Sequence, residues 1–156
     1  MRRAMTLIPA VLTLCLCVAV QAAENPLIGT WKINPDKSTF SPGPRPISSV
    51  VTFAANGDQI LQSVNNVGAQ GNKIVYSVSY AFDGKDYPVK GDPARDFVAW
   101  KCSDPYTLEA TNKKGGKITT HQERVISKDG KSFTLTTTGV NPQGQTVKNV
   151  EFYEKQ

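Results

Sequence analysis

The sequence has little of the chemistry that enzymes and metalloproteins use, since its 156 residues include one histidine, His121, and three cysteines. A zinc site needs three or four Cys, His or carboxylate ligands at suitable spacing, and one histidine with scattered cysteines does not supply them. No Gly-x-Ser-x-Gly element is present to hold a nucleophilic serine on a strained turn. We therefore predict no catalytic residue, no metal site and no cofactor, and we interpret His121 as a solvated strand residue.

Four aspartates lie within fourteen residues and raise the question of calcium binding or paired-carboxylate chemistry: Asp83, Asp86, Asp92 and Asp96. Asp83 and Asp86 flank a turn, however, where aspartate is common for conformational reasons alone. An enzyme that uses these acids together with His121 is therefore the third hypothesis, behind two that involve no catalysis.

Residues 1–22 have the layout of a secretory signal peptide. Arg2 and Arg3 precede an apolar run from Leu7 to Val20, and Ala22 ends a small-residue site of the kind that signal peptidase cleaves. The run is shorter than the roughly 20 apolar residues of a membrane-spanning helix. We expect cleavage after Ala22, export to the periplasm or the extracellular space, no membrane span in the mature chain, and one domain over residues 23–156. An uncleaved anchor and a lipoprotein are the alternatives, although the segment around Cys15 and Cys17 does not supply the Leu-small-small-Cys box of lipoproteins.

Cleavage would leave Cys102 as the one cysteine of the mature chain, so no intrachain disulfide is possible. We expect Cys102 to pack as a small hydrophobic residue, with a reactive or dimer-forming thiol as the alternative. The formal net charge of +5 falls when Arg2 and Arg3 are removed. The densest basic cluster, residues 113–117, reads as a solvated hairpin tip without the interleaved aromatic residues of nucleic-acid sites, so no nucleic-acid binding is predicted.

Short segments of alternating hydrophobicity, separated by turn dipeptides, run from residue 28 to the end and predict an antiparallel all-β protein. Hairpins are expected at Asn56-Gly57, Asp83-Gly84, Gly115-Gly116 and Asp129-Gly130. Strands are predicted near residues 28–34, 49–55, 59–65, 73–82, 85–89, 96–103, 106–112, 117–127, 131–139 and 145–154. Short connections favour up-and-down order, and closure leaves no strand edge unpaired. The prediction is a single up-and-down antiparallel β-barrel of about 8–10 strands.

The stretch from Asn34 to Pro46 is the main irregular segment, because its four prolines exclude a regular helix or a central strand. We expect an ordered extended loop across one end of the barrel. A recognition segment in polyproline II form is the alternative.

Alternation also predicts which side chains point into the barrel. The inward sets are Ile74, Tyr76, Val78, Tyr80 and Phe82; Tyr106, Leu108 and Ala110; and Phe133 and Leu135. In the strand at residues 96–103 both faces are partly apolar, and we favour Trp100 and Cys102 as the inward residues over Phe97, Ala99 and Lys101. In the last strand either Val150 and Phe152 or Val147 and Tyr153 could face inward. Several inward tyrosines need hydrogen-bond partners for their hydroxyls, which favours an internal cavity over a filled core.

Segments near both ends of the predicted mature chain resemble motifs of a known superfamily. The opening Gly29-Thr30-Trp31-Lys32 resembles the Gly-x-Trp signature of lipocalins and fatty-acid-binding proteins, and Phe152-Tyr153-Glu154-Lys155 resembles the Tyr-Glu-Lys close of fatty-acid-binding proteins. Residues 55–58 occupy a similar hairpin, and residues 29–37 with 128–131 look like small exported bacterial lipocalin-like proteins. The chain is thus similar to the calycin superfamily. This resemblance makes Gly29 and Trp31 structural signature residues and implies that Arg124 stacks on Trp31 at the closed end.

Two departures from that resemblance bear on the ligand. Fatty-acid-binding proteins carry an arginine for the ligand carboxylate where this sequence has Glu151, and the proline-rich stretch cannot form their helix-turn-helix lid. A fatty acid is therefore not implied.

The leading hypothesis is an exported, monomeric barrel that binds a small apolar or amphipathic ligand in its interior. The predicted lining is aromatic, with one arginine for an anionic head group: Tyr76, Tyr80, Trp100, Tyr106 and Arg124. The alternative is a filled barrel that acts as an interaction or inhibitor module of the cell envelope. In that case the proline-rich loop and the basic tip at residues 113–117 would contact another protein or an anionic surface.

Overall fold

A computed structural model describes residues 25–156, which form ten β-strands and a short 3-10 helix at Pro35–Lys37. The strands are β1 Gly29–Ile33, β2 Ser48–Asn56, β3 Gln59–Val67, β4 Lys73–Tyr80, β5 Tyr87–Pro88, β6 Phe97–Asp104, β7 Thr107–Lys114, β8 Lys117–Ile126, β9 Ser132–Val140 and β10 Thr146–Lys155. Each coincides with one of the ten predicted segments. The predicted signal peptide lies outside the described residues. Within residues 25–156 no helix is long and apolar enough to cross a membrane.

The ten strands form one antiparallel sheet in the order β4-β3-β2-β1-β10-β9-β8-β7-β6-β5. Every neighbour in this order is also a neighbour along the chain except β1 and β10, which pair the two ends of the domain, with Trp31 opposite Lys155. Two backbone hydrogen bonds between Ser77 and Lys90, of 3.0 and 2.9 Å, join β4 to the segment after β5. These bonds bring the sheet almost to closure, and the predicted up-and-down barrel is confirmed.

The hairpin between β7 and β8 shows how the turn residues act. Gly115 and Gly116 both adopt positive φ, at 57° and 77°, a conformation that other residues rarely take. Such a turn has the twist of the two strands it joins and leaves them in register, with Lys114 opposite Lys117.

The proline-rich stretch is ordered, but its predicted position across the barrel end is wrong. The Asn34 amide donates to the Phe152 carbonyl at 2.8 Å, Thr39 pairs with Val150, and the Lys148 amide donates to the Ser41 carbonyl at 2.9 Å. The chain after β1 therefore extends the barrel wall along β10. It can do so because its last three prolines follow the paired residues.

The predicted inward faces are confirmed for the central strands, and an aromatic cluster fills one end of the interior. The ring centroid of Phe133 lies 4.9 Å from that of Trp31 and 4.6 Å from that of Tyr153. The ring of Tyr80 stacks on that of Trp100, with their centroids 5.6 Å apart. The Trp31 indole donates to the Leu27 carbonyl at 2.9 Å, so its nitrogen is paired. In β10 the buried Tyr153 shows which of the two faces points inward.

Candidate functional site

The inward side chains change from apolar to polar along the barrel. In β8 the order from the aromatic end is Ile126, Arg124, Gln122, and in β10 it is Tyr153, Glu151. The same change occurs in β9, from Phe133 and Leu135 to Thr137, and in β7, from Leu108 and Ala110 to Asn112. Because alternate residues of a strand share one face, each strand contributes to both halves. One half is therefore a packed core, and the other is a polar interior.

A cavity of about 90 Å³, called the chamber below, lies in the polar half. Its walls come from six strands and the segment between β5 and β6: Val51, Gln62, Asn66, Tyr76, Arg95, Gln122, Arg124, Phe133, Leu135, Glu151 and Tyr153. Most of these side chains carry a polar group. A water molecule in the liquid occupies about 30 Å³, so the chamber has room for a small polar group rather than for a long chain.

Arg124 lies between the chamber and the Trp100 ring of the aromatic cluster. Its guanidinium carbon lies 4.4, 4.6 and 5.2 Å from the ring centroids of Trp100, Phe53 and Phe133. The residue is 1% exposed, and its Nε and Nη1 find no hydrogen-bond partner among the described residues. Cation–π attraction therefore holds the guanidinium in place while its donors stay unsatisfied.

Two further donors beside Arg124 are also buried without a partner in residues 25–156, namely the Tyr80 hydroxyl and the Trp100 indole nitrogen. Burial raises the pKa of Tyr80, and the positive charge of Arg124 and a hydrogen-bonding interaction with it partly oppose the rise. Tyr80 is thus neutral at physiological pH. Tyr80, Trp100 and Arg124 together place hydrogen-bond donors and one positive charge at the boundary between the aromatic cluster and the polar half.

Arg95 enters the polar half from the segment between β5 and β6 and has both an ion-pair partner and hydrogen-bond partners. Its Nε donates to Asp92 at 2.9 Å, and its Nη1 donates to the Asn112 side-chain oxygen at 2.7 Å. Its guanidinium lies 5.0 Å from the centroid of the Tyr76 ring. Because a carboxylate already balances its charge, Arg95 has a different role from Arg124.

Glu151 is the acidic member of the chamber. The Tyr153 hydroxyl donates to its Oε2 at 3.0 Å, so the Ser49 hydroxyl, 2.9 Å from the Tyr153 oxygen, donates to Tyr153. Glu151 forms no ion pair with any residue in the described part of the chain. Burial raises its pKa, while the bond from Tyr153 and the two arginines act in the opposite direction.

A second cavity of about 200 Å³, the vestibule, adjoins the chamber and opens to solvent. Its lining includes Ala94, Asn112, Thr120, Pro142 and Val147. Four residues line both cavities and therefore lie between them: Tyr76, Arg95, Gln122 and Glu151. These four side chains therefore form the boundary between the open vestibule and the chamber that contains Arg124.

The five predicted ligand residues occupy three kinds of position. Tyr76 and Arg124 line the chamber, whereas Tyr80 and Trp100 form the stacked pair against which Arg124 packs. Tyr106 is partly buried against the core and is not among the residues that line the chamber. Sequence reasoning missed Arg95, Gln122 and the inward direction of Glu151. The inward direction of Glu151 could have been predicted, because Glu151 is two residues from Tyr153 and alternate residues of a strand share one face.

The predicted stacking of Arg124 on Trp31 is wrong. The cation over the Trp31 ring is Lys155, whose ammonium lies 5.1 Å from the ring centroid. Phe133 contacts both Trp31 and Arg124 and lies between them. The arginine is therefore one layer further into the barrel, on Trp100.

The four aspartates have separate partners. Asp83 pairs with Lys85 at 3.1 Å, Asp86 with Lys113 at 2.6 Å, and Asp96 with Lys114 at 2.7 Å, while Asp92 holds Arg95. Two lysines of the basic tip are thus bound to acids of the same chain. This arrangement explains the local density of aspartate by ion pairing.

A shallow depression of about 530 Å³ lies on the outer surface of β6 to β9 and is lined by apolar, polar and oppositely charged side chains. His121 is exposed there, with its Nδ1 3.4 Å from the Thr111 hydroxyl. The prediction of a solvated strand histidine is confirmed. Because this area is open and its charges alternate, the chamber is the better candidate for a specific site.

No protein-family model and no curated protein matches the sequence. Among solved structures, the zebrafish ileal bile acid-binding protein in complex with cholic acid is similar, with a TM-score of 0.52. The match covers 84% of this chain and 99% of that one. The protein has the calycin fold. At 15% identity the likeness shows the calycin fold alone, so the contents of the barrel must be argued from this chain's own residues.

Proposed function

We propose that this calycin barrel binds a small amphipathic molecule whose anionic group enters the chamber and meets Arg124. The observation that carries the proposal is a guanidinium 1% exposed, next to a cavity, with two nitrogens unpartnered among the described residues. A buried charge without an ion-pair partner is costly, and an oxyanion would supply both that partner and the missing acceptors.

The cavity volumes restrict the size of the ligand. The chamber, at about 90 Å³, suits a carboxylate or a group of similar size, and the vestibule of about 200 Å³ suits a short body. Tyr76, Ala94, Pro142 and Val147 supply apolar surface in the vestibule. Of the apolar or amphipathic ligands expected from the sequence, these volumes favour a small amphipathic one.

The setting of this activity is part of the same proposal. The charged and then apolar layout of residues 1–22 supports export, with residues 23–156 acting as a monomer in the periplasm or outside the cell. Edman sequencing of the protein secreted from its host and light scattering of the purified chain test these two points.

Isothermal titration calorimetry with octanoate tests the binding proposal. The wild-type protein should bind octanoate, and Arg124→Met should weaken binding by about tenfold or more, because a charge-assisted hydrogen bond to the ligand is lost. The matched control is Arg45→Met, since Arg45 pairs with Asp36 on the surface and should leave binding unchanged. Circular dichroism checks that both variants fold. Equal octanoate binding by wild type and a folded Arg124→Met would refute the proposal, as would failure of the wild type to bind either octanoate or its amino-acid analogue 2-aminooctanoate.

A further inference from the structure

We infer that the head group bound in the chamber is zwitterionic, with its anionic part on Arg124 and a cationic part on Glu151. This inference rests on the proposed function and specifies the class of ligand. Its basis is the presence of two opposite, unpaired charges in the wall of one small cavity.

The charges of the polar half divide into a satisfied pair and two single ions. Arg95 and Asp92 form an ion pair at 2.9 Å, with both side chains about one-tenth exposed or less, at 8% and 10%. Arg124 and Glu151 then remain, and neither forms an ion pair with a residue in the described range. Both line the chamber. They form no ion pair with each other, although the charge of Arg124 acts on the Glu151 carboxyl group across the cavity.

The geometry of Glu151 leaves it available to a ligand. Its Oε2 accepts the Tyr153 hydroxyl, and no hydrogen bond to Oε1 occurs among the described residues. Glu151 also lines the vestibule, so its carboxyl group lies on the route from solvent to Arg124. An ammonium group on the ligand would fill the free side of this carboxylate.

Charge balance separates three ligand classes. A simple carboxylate on Arg124 would place a second negative charge beside Glu151, and a simple amine would place a second positive charge beside Arg124. In a buried cavity of about 90 Å³ either repulsion is weakly screened. A head group with both charges, such as that of an α-amino acid, satisfies both ions and adds no net charge.

A calorimetric comparison of three probes with the same chain length tests the inference: octanoate, octylamine and 2-aminooctanoate. Wild-type protein should bind 2-aminooctanoate about tenfold more tightly than octanoate, and octylamine least tightly. Glu151→Gln keeps an acceptor for Tyr153 and should remove this preference, by weakening 2-aminooctanoate binding about tenfold while octanoate binding stays equal or improves. Glu123→Gln is the matched control, because Glu123 is an exposed neighbour on the outer face of β8.

The outcomes distinguish the two proposals. If octanoate binds as tightly as 2-aminooctanoate, or if Glu151→Gln leaves their ratio unchanged, the zwitterion inference is wrong and the proposed function stands. Preferential binding of octylamine would also overturn the inference. If neither octanoate nor 2-aminooctanoate binds to the wild type, the proposed function itself fails.

Discussion

The two halves of the barrel interior are built by the same strands but differ in the groups they leave unpaired. In the aromatic half, rings pack at 4.6 to 5.6 Å and the Trp31 nitrogen has a backbone partner, while the unpaired groups in the described chain are two neutral donors, the Tyr80 hydroxyl and the Trp100 indole nitrogen. In the polar half, Arg124 and Glu151 are charged side chains without ion-pair partners in the described chain. The aromatic half can therefore supply stability, while the polar half retains unmet interactions that a ligand can complete.

Replacement of Trp100, in the aromatic half, should have the largest effect on stability. Trp100→Ala removes a fully buried indole, the stacking partner of Tyr80 and the surface under Arg124. We expect a loss of about 3–5 kcal/mol in the free energy of unfolding, measured by urea denaturation. Phe97→Ala on the same strand is the control, since Phe97 is 41% exposed and should cost far less. Similar losses of unfolding free energy for Trp100→Ala and Phe97→Ala would contradict a stabilising role for the aromatic half.

Separation of Arg95 from Asp92 is the next largest effect, and it tests whether the polar half also contains structural pairs. Asp92→Ala leaves a buried guanidinium without its counter-charge, and we expect a loss of about 3 kcal/mol. Asp86→Ala provides the contrast, because its pair with Lys113 is 30–41% exposed and should contribute under about 1 kcal/mol. Denaturation curves of the two variants measure the difference. A loss for Asp92→Ala no greater than that for Asp86→Ala would mean that Arg95 is not held by this pair.

The pH dependence of stability gives the smallest effect and concerns Glu151. Burial raises the pKa of Glu151 above its ordinary value of 4.5, against the opposing influence of Tyr153, Arg95 and Arg124. The folded protein therefore binds this proton more tightly than the unfolded chain. As the pH rises from below 4.5 through the raised pKa, the stability contributed by the neutral carboxyl is lost.

Glu151→Gln should remove this loss. The variant should be more stable than the wild type at pH 7 and equal to it at acid pH, as measured by thermal unfolding across the pH range in the absence of ligand. Glu123→Gln, on the exposed outer face, should follow the wild-type profile. A wild-type advantage over Glu151→Gln at pH 7 would show that Glu151 is stabilised by the folded chamber rather than penalised by it.

Much of the fold could be predicted from the sequence, because alternation and turn dipeptides are local signals. The ten strands, the inward face of β4 and the burial of Trp100 follow from the two-residue period. The chamber was less predictable. Arg95 lies between strands, where no alternation exists, and its partner Asp92 was considered only as a member of an acidic cluster.

The sequence by itself determined the strands, the hairpins and the change from apolar to polar inward residues along several strands, since each depends on neighbours within a few positions. Only the tertiary structure decided that Arg124 packs on Trp100 rather than on Trp31, and that Glu151 faces the same chamber. The physical reason is the closure of the barrel. The pairing of β1 with β10, and the offset of each strand against the next, place side chains from distant segments at one level of the interior.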